Sequence, residues 1–132
     1  MKVVIVDDDP RNLALMQSMI ERKGHTVLSY LNPQDCPLYQ AAPCPCMVAA
    51  PCPDVVLADY NMPGVDGMEF LEGIRGRGCQ CIHIALVTGK CLDHDDLSRM
   101  ARNGTRFFLK PVDFPQLYDW LDWVELSSRE DT

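Results

Sequence analysis

Short apolar runs alternate with amphipathic stretches along most of this chain. The first run, KVVIV at 2–6, is apolar at four successive positions, which is typical of a strand buried on both faces. The stretch at 10–24 begins with a proline and ends with a glycine, and its apolar residues recur at helical spacing. It predicts a helix with Leu13, Met16 and Ile20 on one face.

The same alternation continues after the first helix. Further strands are predicted at 26–30, 54–59, 82–88 and 106–110. Further helices are predicted at 67–75, in a stretch that ends at Gly104, and from a capping-box-like pair, Asp113 and Gln116, to about Leu126. Between the second and third strands, segment 32–53 is rich in proline and cysteine. It predicts only a short helix around 38–42, followed by an irregular loop.

This order of elements predicts a single α/β domain. Strands that alternate with helices form parallel sheets with right-handed crossovers, and the helices then cover both faces. The chain has 132 residues, 47% of them hydrophobic, which suffices for one core. We therefore predict a doubly wound, five-stranded parallel sheet within residues 1–126 and a polar C-terminal tail at 127–132.

Charge and the first residues exclude several classes of partner. The net charge of −7 opposes direct binding of nucleic acid, which depends on basic side chains that neutralise phosphates. The first residues carry too few apolar positions for a signal peptide or a spanning helix. Seven cysteines, an odd number in an otherwise ordinary composition, do not indicate a disulfide-stapled secreted domain. We expect a cytoplasmic protein that does not bind membranes.

Polar residues with related chemistry follow the predicted strands. Asp7 and two further aspartates follow the first strand, Asp59 ends the third, Thr88 ends the fourth and Lys110 ends the fifth. In an open parallel sheet the ligand site lies beyond the carboxyl ends of the strands. We therefore expect these side chains to converge on one edge of the sheet.

The turn after the first strand favours a cation over a nucleotide. A phosphate-binding turn at this place would be rich in glycine, whereas this one carries Asp7, Asp8 and Asp9. Clustered carboxylates repel one another, and their oxygens suit Mg²⁺ or Mn²⁺. Asp9 precedes Pro10 and is also well placed to cap the first helix.

Four motifs occur in a fixed order: VDDD after the first strand, DYNMPGVDG after the third, VTG after the fourth and FFLKP at the fifth. Each motif is weak alone, whereas the four together at these places are specific. Through them the chain resembles the receiver domains of bacterial two-component response regulators, the CheY-like superfamily. The resemblance covers nearly the whole chain and implies a flavodoxin-like fold with strand order 2-1-3-4-5.

The resemblance implies a role for several residues at the acidic edge. Asp59 matches the phosphoacceptor of the family, and Asp7 and Asp8 match the acidic pair that organises Mg²⁺. Asp59 itself and the backbone carbonyl of Asn61 would complete the protein ligands of the metal. Lys110 matches the phosphate-binding lysine, and its bond to the following proline is typically cis in the family.

The resemblance also implies a switch. Thr88 matches the hydroxyl that moves toward the bound phosphate, and Phe107 matches an aromatic residue that rotates inward when the hydroxyl moves. A structural alternative for Phe107 is a plain core aromatic. Lys90 and Asn61 flank the path of an attacking water and are where control of phosphate lifetime is expected.

The function implied is that of a phosphoacceptor in a phosphorelay. A histidine kinase or phosphotransfer protein would donate the phosphoryl group, with Mg²⁺ present. Its only catalysis would be its own phosphorylation and dephosphorylation. The signal would pass through the surface of the fourth helix, fifth strand and fifth helix to a downstream protein effector or to a second copy in a homodimer.

The last predicted helix offers a further indication of that surface. The residues on one stripe of its helical wheel are Phe114, Leu117, Tyr118, Leu121 and Val124. We expect this stripe to face the sheet, with Trp123 pointing away from it and Trp120 on its flank. Outward tryptophans are enriched at interfaces, so we predict a partner surface at both; the alternative is a ring that lies flat on the protein.

Two groups of cysteines precede neighbouring strands. Cys44, Cys46 and Cys52 come before the third strand, and Cys79 and Cys81 before the fourth. In a parallel sheet these strand starts share the end opposite the acidic site, which brings the groups within reach for a disulfide or a thiolate metal site. The alternative is that they are reduced and serve as small hydrophobic residues.

Two alternatives to a stand-alone receiver remain. The first is a receiver module that is part of a larger regulator or hybrid kinase. The second is a small phosphatase of the haloacid-dehalogenase kind, with Asp7 as nucleophile and Asp9 as general acid. This rival departs from its family pattern at Arg11 and leaves Asp59 without a role.

Overall fold

The computed structural model of this chain describes residues 1–40, 53–76, 83–89 and 91–130. Its strands are β1 (Lys2–Val6), β2 (Thr26–Tyr30), β3 (Val55–Asp59), β4 (His83–Thr88) and β5 (Arg106–Leu109). Its helices are α1 (Pro10–Arg22), α2 (Pro37–Gln40), α3 (Gly67–Gly76), α4 (His94–Asn103) and α5 (Phe114–Glu130), with a 3₁₀ turn at Pro33–Asp35. These bounds confirm the predicted alternation of strands and helices.

The strands form one parallel sheet in the order β2-β1-β3-β4-β5, as predicted. The chain therefore runs to one edge of the sheet through β2 and to the other through β3, β4 and β5. In register, Val6 lies beside Ala58, Asp59 beside Val87, and Thr88 beside Leu109. The carboxyl ends of the central strands are thus level, at the crevice where the strand order reverses between β1 and β3.

Helices cover both faces of the sheet, because alternate residues of each strand point to opposite faces. One core lies between the sheet, α3 and α4, and the other lies between the sheet, α1 and α5. The central strand β3 is buried at every position, since it contributes side chains to both cores. A strand buried in this way holds its last residue, Asp59, in a fixed place.

Two elements differ in length from the sequence prediction. The short helix predicted around 38–42 is α2, a single turn at Pro37–Gln40; positions 41 and 42 lie outside the described residues. It follows the 3₁₀ turn, whose start is capped by the Asn32 side chain. Helix α5 continues to Glu130, so the first part of the predicted tail at 127–132 is helical.

The position predicted for Trp120 is wrong. Its side chain is 5% exposed, and its ring centroid lies 5.5 Å from that of Phe108. The helical wheel places Trp120 at the edge of the apolar stripe, but its large ring reaches the core beside Phe108. Trp123 is 55% exposed, with its ring edge-on to His83, as expected for an outward residue.

Within the described residues, none of the helices combines the length and hydropathy that a membrane span requires.

Candidate functional site

Three carboxylates meet at the carboxyl ends of β1 and β3. One oxygen from each of Asp7, Asp8 and Asp59 lies within 4.8 Å of the other two. Asp7 and Asp59 are buried, whereas Asp8 is exposed at the rim. The sequence prediction that these three residues converge is confirmed by this geometry, which offers a cation three oxygen ligands from two strands.

The backbone of β1 determines where Asp7 points. Its N–H donates to the carbonyl of Tyr30 at 3.1 Å, which extends the pairing of β1 with β2 by one residue. Its Oδ1 accepts a hydrogen bond from the N–H of Asp9 at 2.9 Å, while its other oxygen faces Lys110. The turn after β1 therefore orients the buried carboxylate.

Asp9, the third aspartate of the run, has a structural role at the start of a helix. Asp9 caps α1: its carboxylate accepts a hydrogen bond from the N–H of Arg11 at 2.9 Å. Asp9 is exposed and does not belong to the cluster formed by Asp7, Asp8 and Asp59. This arrangement opposes the phosphatase alternative, because that mechanism needs Asp9 at the reacting atoms.

Lys110 provides the positive charge of the site. Its Nζ lies 3.0 Å from Asp59 Oδ1 and 3.6 Å from Asp7 Oδ2. Burial opposes the charge on this ammonium, but the hydrogen bond and charge of Asp59, with those of Asp7, raise the pKa of Lys110. The Lys110–Pro111 bond is cis. Lys110 is therefore a fully charged group aimed at the Asp59 carboxylate.

The carboxyl group of Asp59 ionises at a higher pH than an ordinary aspartate. Burial raises the pKa of Asp59 to about 6, helped by the charges of Asp7 and Asp8 and opposed by Lys110. One ammonium thus offsets only part of the negative field from three carboxylates. A bound cation would supply the remainder and keep Asp59 ionised.

Asp59→Asn is therefore expected to stabilise the metal-free protein. Folded protein retains the Asp59 proton up to about pH 6, whereas the unfolded chain releases it near pH 3.8, so wild-type stability falls as pH rises between these values. The advantage of the variant grows through this window to on the order of 2 to 3 kcal/mol and then stays constant. Urea unfolding with a chelator, repeated across the window, measures it; an equal advantage at every pH would contradict this reasoning.

The other predicted site residues lie at the ends of β4 and β5. Thr88 is fully buried, and its carbonyl accepts a hydrogen bond from the N–H of Lys110 at 2.8 Å. Phe107 is 39% exposed on the outer side of β5, and Asn61 is exposed in the loop after β3. Lys90 lies outside the described residues. So do the five cysteines that precede the third and fourth strands, Cys44, Cys46, Cys52, Cys79 and Cys81. Of the described cysteines, Cys36 is buried and Cys91 is exposed.

Two features of the site were missed by the sequence analysis. A Cβ atom on Gly67, the first residue of α3, would lie 2.2 Å from the carbonyl oxygen of Asp59, so only glycine fits there. Gly67 is the last residue of the motif DYNMPGVDG, and a glycine at the start of a helix could have indicated this close approach. The second feature is the hydrogen bond from the Tyr60 hydroxyl to Asp96 Oδ1, 2.9 Å long and buried. It joins positions 36 residues apart, and no sequence motif marks it.

Comparison with known proteins agrees with this geometry. Residues 3–122 match the family model described as the response regulator receiver domain. The chain is 28% identical to Protein PilH of Pseudomonas aeruginosa over 113 residues, which cover 85% of this chain and 87% of PilH. It is 29% identical to Sensor protein GacS of Pseudomonas syringae over 133 residues, covering 97% of this chain but only 14% of GacS.

Solved structures show the same fold. A CheY-like response regulator receiver domain protein from Methanospirillum hungatei superposes with a TM-score of 0.79 at 19% identity, covering 98% of this chain and 97% of that one. The family match extends over most of the chain, from β1 into α5. The chain therefore belongs to the response regulator receiver domain family, the signalling modules of two-component systems.

Proposed function

We propose that Asp59 is a phosphoacceptor that takes a phosphoryl group from a phosphohistidine donor. The observation that carries this proposal is the arrangement around Asp59: a buried carboxylate, an ammonium 3.0 Å away, and two more carboxylates within 4.8 Å. Few other reactions need an acidic nucleophile, a fixed cation and a metal-type cluster at one sheet edge. Receiver domains interact with histidine kinases or phosphotransfer proteins, which supply such donors.

The cluster suits a divalent cation. Receiver domains bind Mg²⁺ at an acidic cluster of this kind, and the donor set here consists of hard oxygen ligands. Asp7, Asp8, Asp59 and the backbone carbonyl of Asn61 would hold Mg²⁺ or Mn²⁺. When bound, the ion neutralises negative charge on the transferring phosphoryl group.

The protein's own residues then act on the acceptor and the phosphoryl oxygens. A carboxylate oxygen of Asp59 forms the bond to phosphorus while the bond from phosphorus to the donor imidazole nitrogen breaks. The leaving imidazole keeps the electron pair and takes up a proton. Lys110 stabilises charge on one phosphoryl oxygen, and Thr88 binds another with its hydroxyl.

Phosphorylation of Asp59 would change the surface formed by α4, β5 and α5. The new phosphoryl group adds negative charge and acceptor oxygens, which draw Thr88 toward it and let Phe107 turn inward. The surface formed by α4, β5 and α5, with Trp123 exposed on it, would then bind a downstream protein effector or a second copy. Lys90 and Asn61 would set the lifetime of the phosphate.

The larger context of the module also belongs to this proposal. The chain spans 14% of the length of GacS and 87% of that of PilH, so relatives include both long sensor proteins and single modules. We assign the receiver to the part of the chain from β1 to the end of α5, which includes the helical first part of the predicted tail, and place the protein in the cytoplasm. The thiol cluster of Cys44, Cys46, Cys52, Cys79 and Cys81 stays a prediction, which thiol counting with and without reductant tests.

Phosphorylation by a small phosphodonor tests the proposed function. Incubation with phosphoramidate and Mg²⁺ is expected to add a single phosphoryl group, seen by intact-protein mass spectrometry. Hydroxylamine should remove the adduct, as it does for acyl phosphates, and a chelator should prevent its formation. Labelling that is independent of divalent cations, or an adduct stable to hydroxylamine, would overturn the proposal.

A further inference from the structure

Tyr60, the residue directly after Asp59, contacts three other elements. Its N–H donates to the carbonyl of Val87 in β4 at 2.8 Å, and its carbonyl accepts from the N–H of Gly67 in α3 at 2.9 Å. Its side-chain hydroxyl donates to Asp96 Oδ1 in α4 at 2.9 Å. The backbone of Tyr60 is thus held by the sheet and α3, while its side chain reaches α4.

Asp96 is built into the start of α4. It is the third residue of the helix, and it forms a capping box with Asp93: the N–H of Asp96 donates to the Asp93 carboxylate at 2.8 Å, and the N–H of Asp93 donates back to Asp96 Oδ2 at 3.3 Å. One oxygen of Asp96 therefore fastens the cap, and the other receives the Tyr60 hydroxyl. The carboxylate is 5% exposed, and buried carboxylates need such donors.

The backbone of Tyr60 is fixed by its two hydrogen bonds, so its side chain is the part that can change its contacts. Moving the backbone of residue 60 would break sheet or helix hydrogen bonds, whereas removal of the phenol hydroxyl leaves both in place and breaks the bond to Asp96. Thr88 ends β4, and α4, whose start is capped by Asp93, is the next element along the chain. The Tyr60 side chain adds a direct contact between the residue after Asp59 and the start of α4.

We infer that the hydrogen bond from Tyr60 to Asp96 makes Tyr60 a positioning residue that couples the Asp59 site to the start of α4. The inference rests on the proposed function, because it concerns how occupancy of Asp59 reaches α4. The bond holds α4 in the arrangement of the unphosphorylated protein. The switch under the proposed function requires a phosphoryl group on Asp59 to displace the start of α4, so the bond would oppose occupancy of the site, and coupling of this kind is reciprocal.

Tyr60→Phe tests the inference, because it removes the hydroxyl and keeps the ring. The probe is beryllofluoride with Mg²⁺, a phosphoryl mimic, and its affinity is measured by calorimetry. We expect Tyr60→Phe to bind it about three- to tenfold more tightly than wild type, the range that one buried hydrogen bond contributes. Amide protons in the first turn of α4 should also exchange faster in the ligand-free variant.

Two further variants separate coupling from a purely structural effect. Tyr118→Phe is the matched control, since its hydroxyl donates to the carbonyl of Met19 at 3.1 Å, away from the site, and its loss should leave beryllofluoride affinity unchanged. Asp93→Ser keeps an N-cap oxygen for the N–H of Asp96 and leaves the Tyr60 bond to Asp96 in place, so its affinity should stay near that of wild type. Faster exchange in α4 of Tyr60→Phe without tighter binding overturns the inference, as does an equal gain in Tyr118→Phe.

Beryllofluoride binding by wild type distinguishes a failure of the proposed function from a failure of the coupling. Wild-type protein that does not bind beryllofluoride in Mg²⁺ overturns the phosphoacceptor role of Asp59 and the coupling with it. Wild-type binding together with an unchanged affinity in Tyr60→Phe overturns the coupling alone.

Discussion

Asp8→Ala is expected to abolish Mg²⁺-dependent phosphorylation and, at the same time, to stabilise the metal-free protein. Asp8 contributes one of the three oxygens that lie within 4.8 Å of one another, and its charge raises the pKa of buried Asp59. Its removal takes away an oxygen proposed to bind Mg²⁺ and also a repulsion between carboxylates. We expect a gain in unfolding free energy of about 1 kcal/mol, the Coulomb energy of two charges about 4 Å apart in water.

The neighbouring Asp9 provides the control. Asp9→Ala removes the cap of α1, so we expect it to lose about 1 kcal/mol of stability while phosphorylation continues. Urea unfolding in a chelator and phosphorylation by phosphoramidate in Mg²⁺ measure both variants. The division of the acidic run would be wrong if Asp8→Ala were less stable than wild type and still phosphorylated normally.

Gly67→Ala is expected to damage both stability and phosphorylation. The added Cβ would lie 2.2 Å from the Asp59 carbonyl oxygen and 2.8 Å from Leu86 Cδ1, so the start of α3 must move away from β3. Overpacking of this kind costs about 2 to 3 kcal/mol of stability. Because the nearest clashing atom belongs to the backbone of Asp59, the proposed phosphoacceptor is displaced as well, and phosphorylation should slow on the order of 10- to 100-fold.

The same helix offers a matched control. Among the described residues outside its own helix turn, Gly76, at the other end of α3, has no atom within 4 Å of the position a Cβ would take. Gly76→Ala should therefore be as stable as wild type or gain up to about 1 kcal/mol from the higher helix propensity of alanine. Thermal unfolding and phosphorylation rates compare the two variants. Similar losses in both would mean that α3 tolerates no alanine, rather than that Asp59 needs close approach of Gly67.

Much of the fold and the acidic edge follows from local patterns. The strand bounds are predictable because buried parallel strands are short, continuous apolar runs, such as 2–6 and 55–59. The convergence of Asp7, Asp59 and Lys110 is predictable because polar residues that follow parallel strands meet at one edge. In both cases the signal lies in a few consecutive residues.

Contacts set by tertiary packing were not predictable in the same way. The helical wheel gives directions but not the reach of a side chain, so it misplaced Trp120, whose ring lies beside Phe108 in the core. The bond between Tyr60 and Asp96 joins β3 to α4 and depends on how the helix sits on the sheet. Helix α5 continues past Leu126 because helical hydrogen bonding extends into residues whose polarity indicated a tail.

The identity of the phosphorylated residue distinguishes a receiver from the phosphatase alternative. Wild type, Asp59→Asn and Asp9→Asn are each incubated with phosphoramidate and Mg²⁺, and the adduct is measured by intact-protein mass spectrometry. Both variants replace a carboxylate with an amide, and asparagine remains a good helix cap at position 9. We expect the adduct to be lost in Asp59→Asn and kept in Asp9→Asn; the reverse pattern would exclude Asp59 as the phosphoacceptor.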